Sequence, residues 1–229
     1  MRLTLSAIMI SSLFMAACGG DDGDTVTPSI DAARIDGSGG IDAPAAACTV
    51  STTNFADRGA LMGATYLFRP GANAAATDDE LDVLSQLEAA QPTDLLRIQL
   101  YAGYGAFAGR AIVPGTYPIM GDELNFATCG ICVMLATNVS ANSYDDDYMA
   151  TSGTVTITAA GTAVGGKLAG SLSNIQFHHV MIDPQTGATT QAADTCTSAM
   201  SNATFSGAMT APMMKMMGPS PAPRFAKHR

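Results

Sequence analysis

The most regular stretches of the chain alternate apolar and polar residues. From Leu95 to Tyr101, Leu96, Ile98 and Leu100 share one face and Arg97 and Gln99 the other, the period-2 signature of a half-buried strand. Thr154-Val155-Thr156-Ile157-Thr158 repeats that pattern and is turned back at Gly165-Gly166. Ala60 to Phe68, ended by Arg69-Pro70-Gly71, reads as another strand, as do Thr116 to Met120 after the Pro114-Gly115 turn and Ala203 to Met209. Phe126 to Val139 is the most apolar strand candidate. Lys167 to Ile182 changes phase: Leu168 and Leu172 share one parity, and Ile175, Phe177 and Met181 the other. A strand can keep one buried face through such a change only with a bulge, which falls near Ser173-Asn174. One segment reads as a helix. Thr77 and Glu80 have capping-box spacing, Asp78 and Asp79 sit in the first turn, and Leu81, Leu84 and Leu87 follow at intervals of three before Pro92. The expected fold is mainly β, an antiparallel β-sandwich or alternatively a β-barrel, of about seven or eight strands with one short helix.

The N-terminal end has a different pattern. Arg2 is followed by a run from Leu3 to Met15 broken only by Thr4, Ser6, Ser11 and Ser12, and no further charge occurs before Asp21. This is the length of a signal-peptide core and short of the ~20 apolar residues that span a bilayer. Met15-Ala16-Ala17-Cys18 then resembles the lipobox of bacterial lipoproteins, with Met where the family usually has Leu. The resemblance covers residues 1 to about 20. It implies that 1–17 is a removed signal peptide, that Cys18 carries lipid, and that several acyl chains hold the protein on the membrane, since one chain binds only marginally. Ordinary secretion, with cleavage after Gly19, is the alternative. Residues 18–47 hold six Asp and a single base, Arg34, among Gly, Ala, Ser, Thr and Pro. They cannot bury enough apolar surface to offset chain entropy and read as a disordered acidic linker, reaching ~30 Å on average as a flexible coil. This spacer resembles those of many lipoproteins of Gram-negative bacteria, myxobacteria among them. The expectation is an exported protein, lipid-anchored to the cell envelope at its outer membrane.

Residues 48–210 form the expected folded domain, and 211–229 a flexible tail with Met213, Met214, Met216 and Met217, Pro219, Pro221 and Pro223, and four bases but no acid. Only 14% of the chain is charged and its net charge is −9, which argues against a nucleic-acid partner. With Cys18 set aside, Cys48, Cys129, Cys132 and Cys196 make an even number, read in an exported domain as two disulfides. Residues three apart in an unbroken strand lie ~10 Å apart, beyond the ~7 Å that a disulfide tolerates between α-carbons. That favours Cys129 and Cys132 bonding separately to Cys48 and Cys196. A turn at Gly130 would instead permit Cys129–Cys132 and leave Cys48–Cys196.

Candidate chemistry is sparse. Cys129-Gly-Ile-Cys132 has the spacing of redox motifs, which place the pair at the start of a helix; here Val133, Met134 and Leu135 continue a strand. A four-cysteine zinc site would need a second paired knuckle, and Cys48 and Cys196 are single. Asp145, Asp146 and Asp147 concentrate oxygen donors that could hold calcium, though without the alternating spacing and central Gly of a calcium loop. Tyr101, Tyr104 and Phe107 lie among glycines and are candidates for ligand contact if exposed. His178 and His179 are strand neighbours and point to opposite faces. The Met cluster of the tail could bind copper(I). No Gly-x-Ser-x-Gly elbow occurs. The sequence therefore favours a non-catalytic binding or structural domain. An exported hydrolase using carboxylates and a copper- or calcium-handling lipoprotein are the alternatives.

Overall fold

A computed structural model describes residues 47–140 and 143–212. The signal-like segment, Cys18, the linker through residue 46 and the tail from residue 213 lie outside the described residues. The domain is mainly β. Its strands are β1 Asp57–Ala60, β2 Thr65–Arg69, β3 Glu80–Gln86, β4 Thr93–Tyr101, β5 Gly115–Pro118, β6 Ile131–Val139, β7 Asp147–Ala160, β8 Lys167–Ile182, β9 Thr189–Gln191 and β10 Thr197–Ala208. Two short 3-10 turns, Gly105–Phe107 and Gly121–Leu124, are the helical elements among the described residues.

All ten strands belong to one sheet, ordered β1-β10-β8-β7-β6-β4-β3-β2, with β5 added to β7 and β9 to β8. Every pairing is antiparallel except β1 with β10. The mixed sheet curls into a half-barrel instead of dividing into two packed layers, so the β-sandwich gives way to a form nearer the barrel alternative. Its two ends approach through a parallel bridge between Leu67 of β2 and Thr210, just past β10. There Phe68 N donates to the Thr210 carbonyl at 3.0 Å and Thr210 N to the Tyr66 carbonyl at 2.9 Å.

The expected helix is strand β3. Leu81, Val83 and Leu87 are buried in the interior cluster, a period of two that coincides with the period-three reading at Leu81 and Leu87. Leu84 falls on the opposite face, paired with Arg97. Hydrogen bonding to β2 on one side and β4 on the other overrides the local helix signal, which is a weak prior. The residues of the supposed capping box serve a turn instead. Asp79 accepts from Gly71 N at 2.8 Å, Asp78 from Ala72 N at 2.8 Å, and Thr77 Oγ1 from the Asn73 side-chain amide at 2.6 Å.

The bulge in β8 falls at Asn174. Ser173 pairs with Thr154 and Gln176 with Ser152, so β8 carries one more residue than β7 over this interval. Asn174 takes up the extra residue at φ 53°. Leu168 and Leu172 before it, and Ile175 and Phe177 after it, are all fully buried. Gly153 on β7 makes room, since a Cβ there would lie 2.6 Å from Ile175 Cδ1. Met181 shares the parity of Phe177 but is 59% exposed.

Two apolar clusters result. The large one fills the concave side. A smaller one lies on the outer face, where Phe126, Cys129, Cys132, Met134, Met149 and Val180 pack with Tyr101 and Ile182.

Candidate functional site

Both disulfides form: Cys48–Cys196, with α-carbons 5.5 Å apart, and Cys129–Cys132, also at 5.5 Å. The favoured pairing of Cys129 and Cys132 with the distant cysteines is thereby corrected. It assumed strand through residues 126–139, whereas β6 begins only at Ile131, and Cys129 sits in a turn closed by its own N–H to the Asn125 carbonyl at 2.9 Å. Gly130 is required there by close approach, because a Cβ would lie 2.2 Å from the Tyr104 carbonyl oxygen. Glu123 fixes the same turn from within: its buried carboxylate accepts from Ala106 N at 2.6 Å and Ile131 N at 2.5 Å.

Cys48–Cys196 opens a polar cluster at one end of the sheet. Thr49 Oγ1 donates to Asp146 Oδ2 at 2.8 Å and accepts from Thr137 Oγ1 at 2.9 Å; Asn138 Nδ2 donates to the Thr49 carbonyl at 3.2 Å. Ser51 N donates to Asp94 Oδ2 at 2.7 Å, and the other oxygen of this buried carboxylate accepts from Asn138 N at 3.1 Å. Residues 48–51 are thus strapped to β6, to the start of β4 and to the segment before β10. Beside the strap, His179 lies between two carboxylates, with Nδ1 2.5 Å from Asp194 Oδ2 and Nε2 3.4 Å from Asp146 Oδ1, and its ring stacks on Tyr148 at 5.2 Å. Asp194 is held below the usual carboxylate range by the Cys196 N–H and then by His179. Both imidazole nitrogens face carboxylates, Nδ1 in a hydrogen bond with Asp194 and Nε2 in a longer contact with Asp146.

A second cluster crosses the outer face of β2, β3 and β4. Asp82 is fully buried and paired with Arg69, with Arg97 Nη2 3.8 Å away; Arg69 also meets Glu80 at 2.5 Å. Burial and the neighbouring Asp82 charge raise Glu80 above its ordinary range. Gln99 donates to the Tyr101 hydroxyl at 2.5 Å. Asp82 Oδ1, Gln99 Oε1 and Arg97 Nε are buried and make no hydrogen bond among the described residues. Sequence reasoning placed Arg97 and Gln99 on a polar face but missed the cluster. The available signal was that Glu80 and Asp82 share a parity, which becomes useful only once β3 is recognised as a strand.

The acidic triplet does not converge. Asp145 accepts from Asn138 Nδ2 at 2.8 Å, Asp146 faces Thr49 and His179, and Asp147 accepts from the Tyr144 hydroxyl at 3.1 Å. Among the described residues no three His, Cys, Asp or Glu side chains are grouped to hold a metal ion. The aromatic trio is also divided. Phe107 is fully buried in the interior against Tyr117 at 5.2 Å, Tyr101 meets Phe126 edge-on at 6.5 Å on the outer face, and Tyr104 is half-buried in the loop between them. His178 and His179 do point apart: His178 contacts Gln191 at 3.2 Å, whereas His179 turns to the strap.

Asp147 gives the domain a pH dependence. Burial lifts its carboxyl from 3.8 to about 6 against the opposing effect of the Tyr144 hydrogen bond. A raised carboxyl means that the folded state holds a proton the unfolded chain has released. The group therefore costs stability in full above pH ~6, about 2–3 kcal/mol, and the cost disappears as pH falls toward ~4. Asp147→Asn is expected to raise the unfolding free energy at pH 7.5 by that order while leaving it nearly unchanged at pH 4. Urea titrations of both proteins at the two pH values check this.

Comparison of the chain with protein-family models, curated proteins and solved structures gives no match.

Proposed function

We propose that this is a lipid-anchored lipoprotein of the bacterial envelope, held on the outer membrane through Cys18, whose β-domain serves a non-catalytic binding or structural role. The observation that carries the reading is the strap. The acidic linker that follows the lipobox-like motif runs directly into Cys48, and Cys48 is joined at once to Cys196 while Thr49 and Ser51 are bonded to Asp146 and Asp94. A domain displayed on a tether needs its first folded residues pinned, so that tension on the linker does not peel off an edge. The ionisable clusters support a non-catalytic role, because their charged groups are spent on one another. His179 is enclosed by Asp146 and Asp194, and Asp82 by Arg69 and Arg97.

The test is fractionation of cells expressing the full chain or its Cys18→Ala variant. The parent protein is expected in the membrane pellet and to resist extraction with high salt. The variant should leave the membrane with its disulfides and sheet spectrum unchanged. An unaltered membrane association of the variant, or a soluble parent, would refute the anchor.

A further inference from the structure

The outer-face apolar cluster is unusual in what it is made of. Four of its six buried residues carry sulfur: Cys129, Cys132, Met134 and Met149. Only three of the thirty in the interior cluster do, Cys196, Met200 and Met209. The backbone brings the four together by register. Cys132 and Met134 are two residues apart on β6 and so share its outer face, ~7 Å from one another. Met134 is directly opposite Met149 of β7, and Cys129 is bonded to Cys132. All four are 3% exposed or less.

We propose that reduction of Cys129–Cys132 turns this cluster into a site for one copper(I) ion, held by two thiolates and the thioethers of Met134 and Met149. Reduction transfers two electrons and two protons from an external dithiol, which leaves as its own disulfide. Each freed thiol then loses its proton on binding the metal. Thiolate and thioether donors select a soft monovalent ion over zinc or calcium. Two thiolates around a monovalent cation leave one negative charge beside Arg97, which is paired in register with Met134 and shared with Asp82 at 3.8 Å. This site is distinct from the Met-rich tail and does not rest on the lipid anchor.

The experiment titrates copper(I) into the full chain, reduced with a dithiol and desalted under anaerobic conditions, against a chromophoric copper(I) chelator. One equivalent should bind to the reduced protein, with a thiolate-to-copper absorption band, and roughly 100-fold more weakly to the oxidised protein. Reduction also frees Cys48 and Cys196, whose thiols would bind copper(I) in their own right, so the titrated protein and each variant carry Cys48→Ser/Cys196→Ser as well. Cys129→Ser/Cys132→Ser should abolish the band, and Met134→Leu/Met149→Leu, which conserves volume, should weaken binding about tenfold with the sheet spectrum retained. Replacing Met213, Met214, Met216 and Met217 by Leu should leave this equivalent in place. Binding that survives either the cysteine or the Met134/Met149 replacements, disappears with the tail methionines, or requires loss of the sheet spectrum would overturn the proposal.

Discussion

Replacing Cys48 and Cys196 by serine is expected to remove about 3–5 kcal/mol of stability, a large fraction of the whole for a domain of this size. The two cysteines are 148 residues apart, so the bond restrains most of the domain's sequence in the unfolded state, for which the loop-entropy relation gives about 5 kcal/mol. Their loss also releases Thr49 and Ser51 from Asp146 and Asp94, leaving the buried Asp94 carboxylate with one acceptor site unfilled. Cys129→Ser/Cys132→Ser is the internal control. It opens a loop spanning only 3 residues of separation, worth about 2 kcal/mol by the same relation. Urea unfolding of the two double variants should therefore show a clearly lower midpoint for the first. Equal losses would mean that the strap does not restrain the domain as described.

The second large effect is expected at Asp82. Its side chain is fully buried between Arg69 and Arg97. Asp82→Ala leaves two partly buried guanidinium groups without their shared partner, a change that costs about 3–5 kcal/mol where one member of a buried ion pair is deleted. Removing these three charges together, as Arg69→Met/Asp82→Leu/Arg97→Met, should cost less, because the desolvation penalty of the three ions goes with them and Glu80, which loses Arg69, is already raised by burial toward its neutral form. Thermal or urea unfolding of the single and triple variants checks the order. A triple variant less stable than Asp82→Ala would show that the cluster stabilises the sheet outright.

Strands with strict alternation, such as Leu95 to Tyr101 and Thr154 to Thr158, were legible because a half-buried sheet demands that pattern whatever its topology. The bulge at Asn174 was legible for the same reason: a phase change on one strand has few other solutions. The helix reading failed at Leu81, Leu84 and Leu87, where three leucines satisfy a helical period while Leu81, Val83 and Leu87 also satisfy a strand. Only pairing with β2 and β4, which sequence does not display, decides between them. The cysteine pairing failed by a boundary error, with β6 starting at Ile131 and not at Phe126. A single curled sheet in place of a sandwich likewise depends on bulges and on the bridge at Thr210. The polar clusters were the least legible part. Arg69, Asp82 and Arg97 each look like ordinary solvated charges, and Asp94, Asp146, His179 and Asp194 become neighbours only when β4, β7, β8 and the lead-in to β10 meet at one end.

The mass of the N-terminal peptide of the purified mature protein tests the proposed lipid anchor most directly. A first residue of Cys18 carrying both diacylglycerol and amide-linked acyl mass is the predicted result. A peptide beginning elsewhere, or beginning at an unmodified Cys18 in protein recovered without detergent, would contradict it.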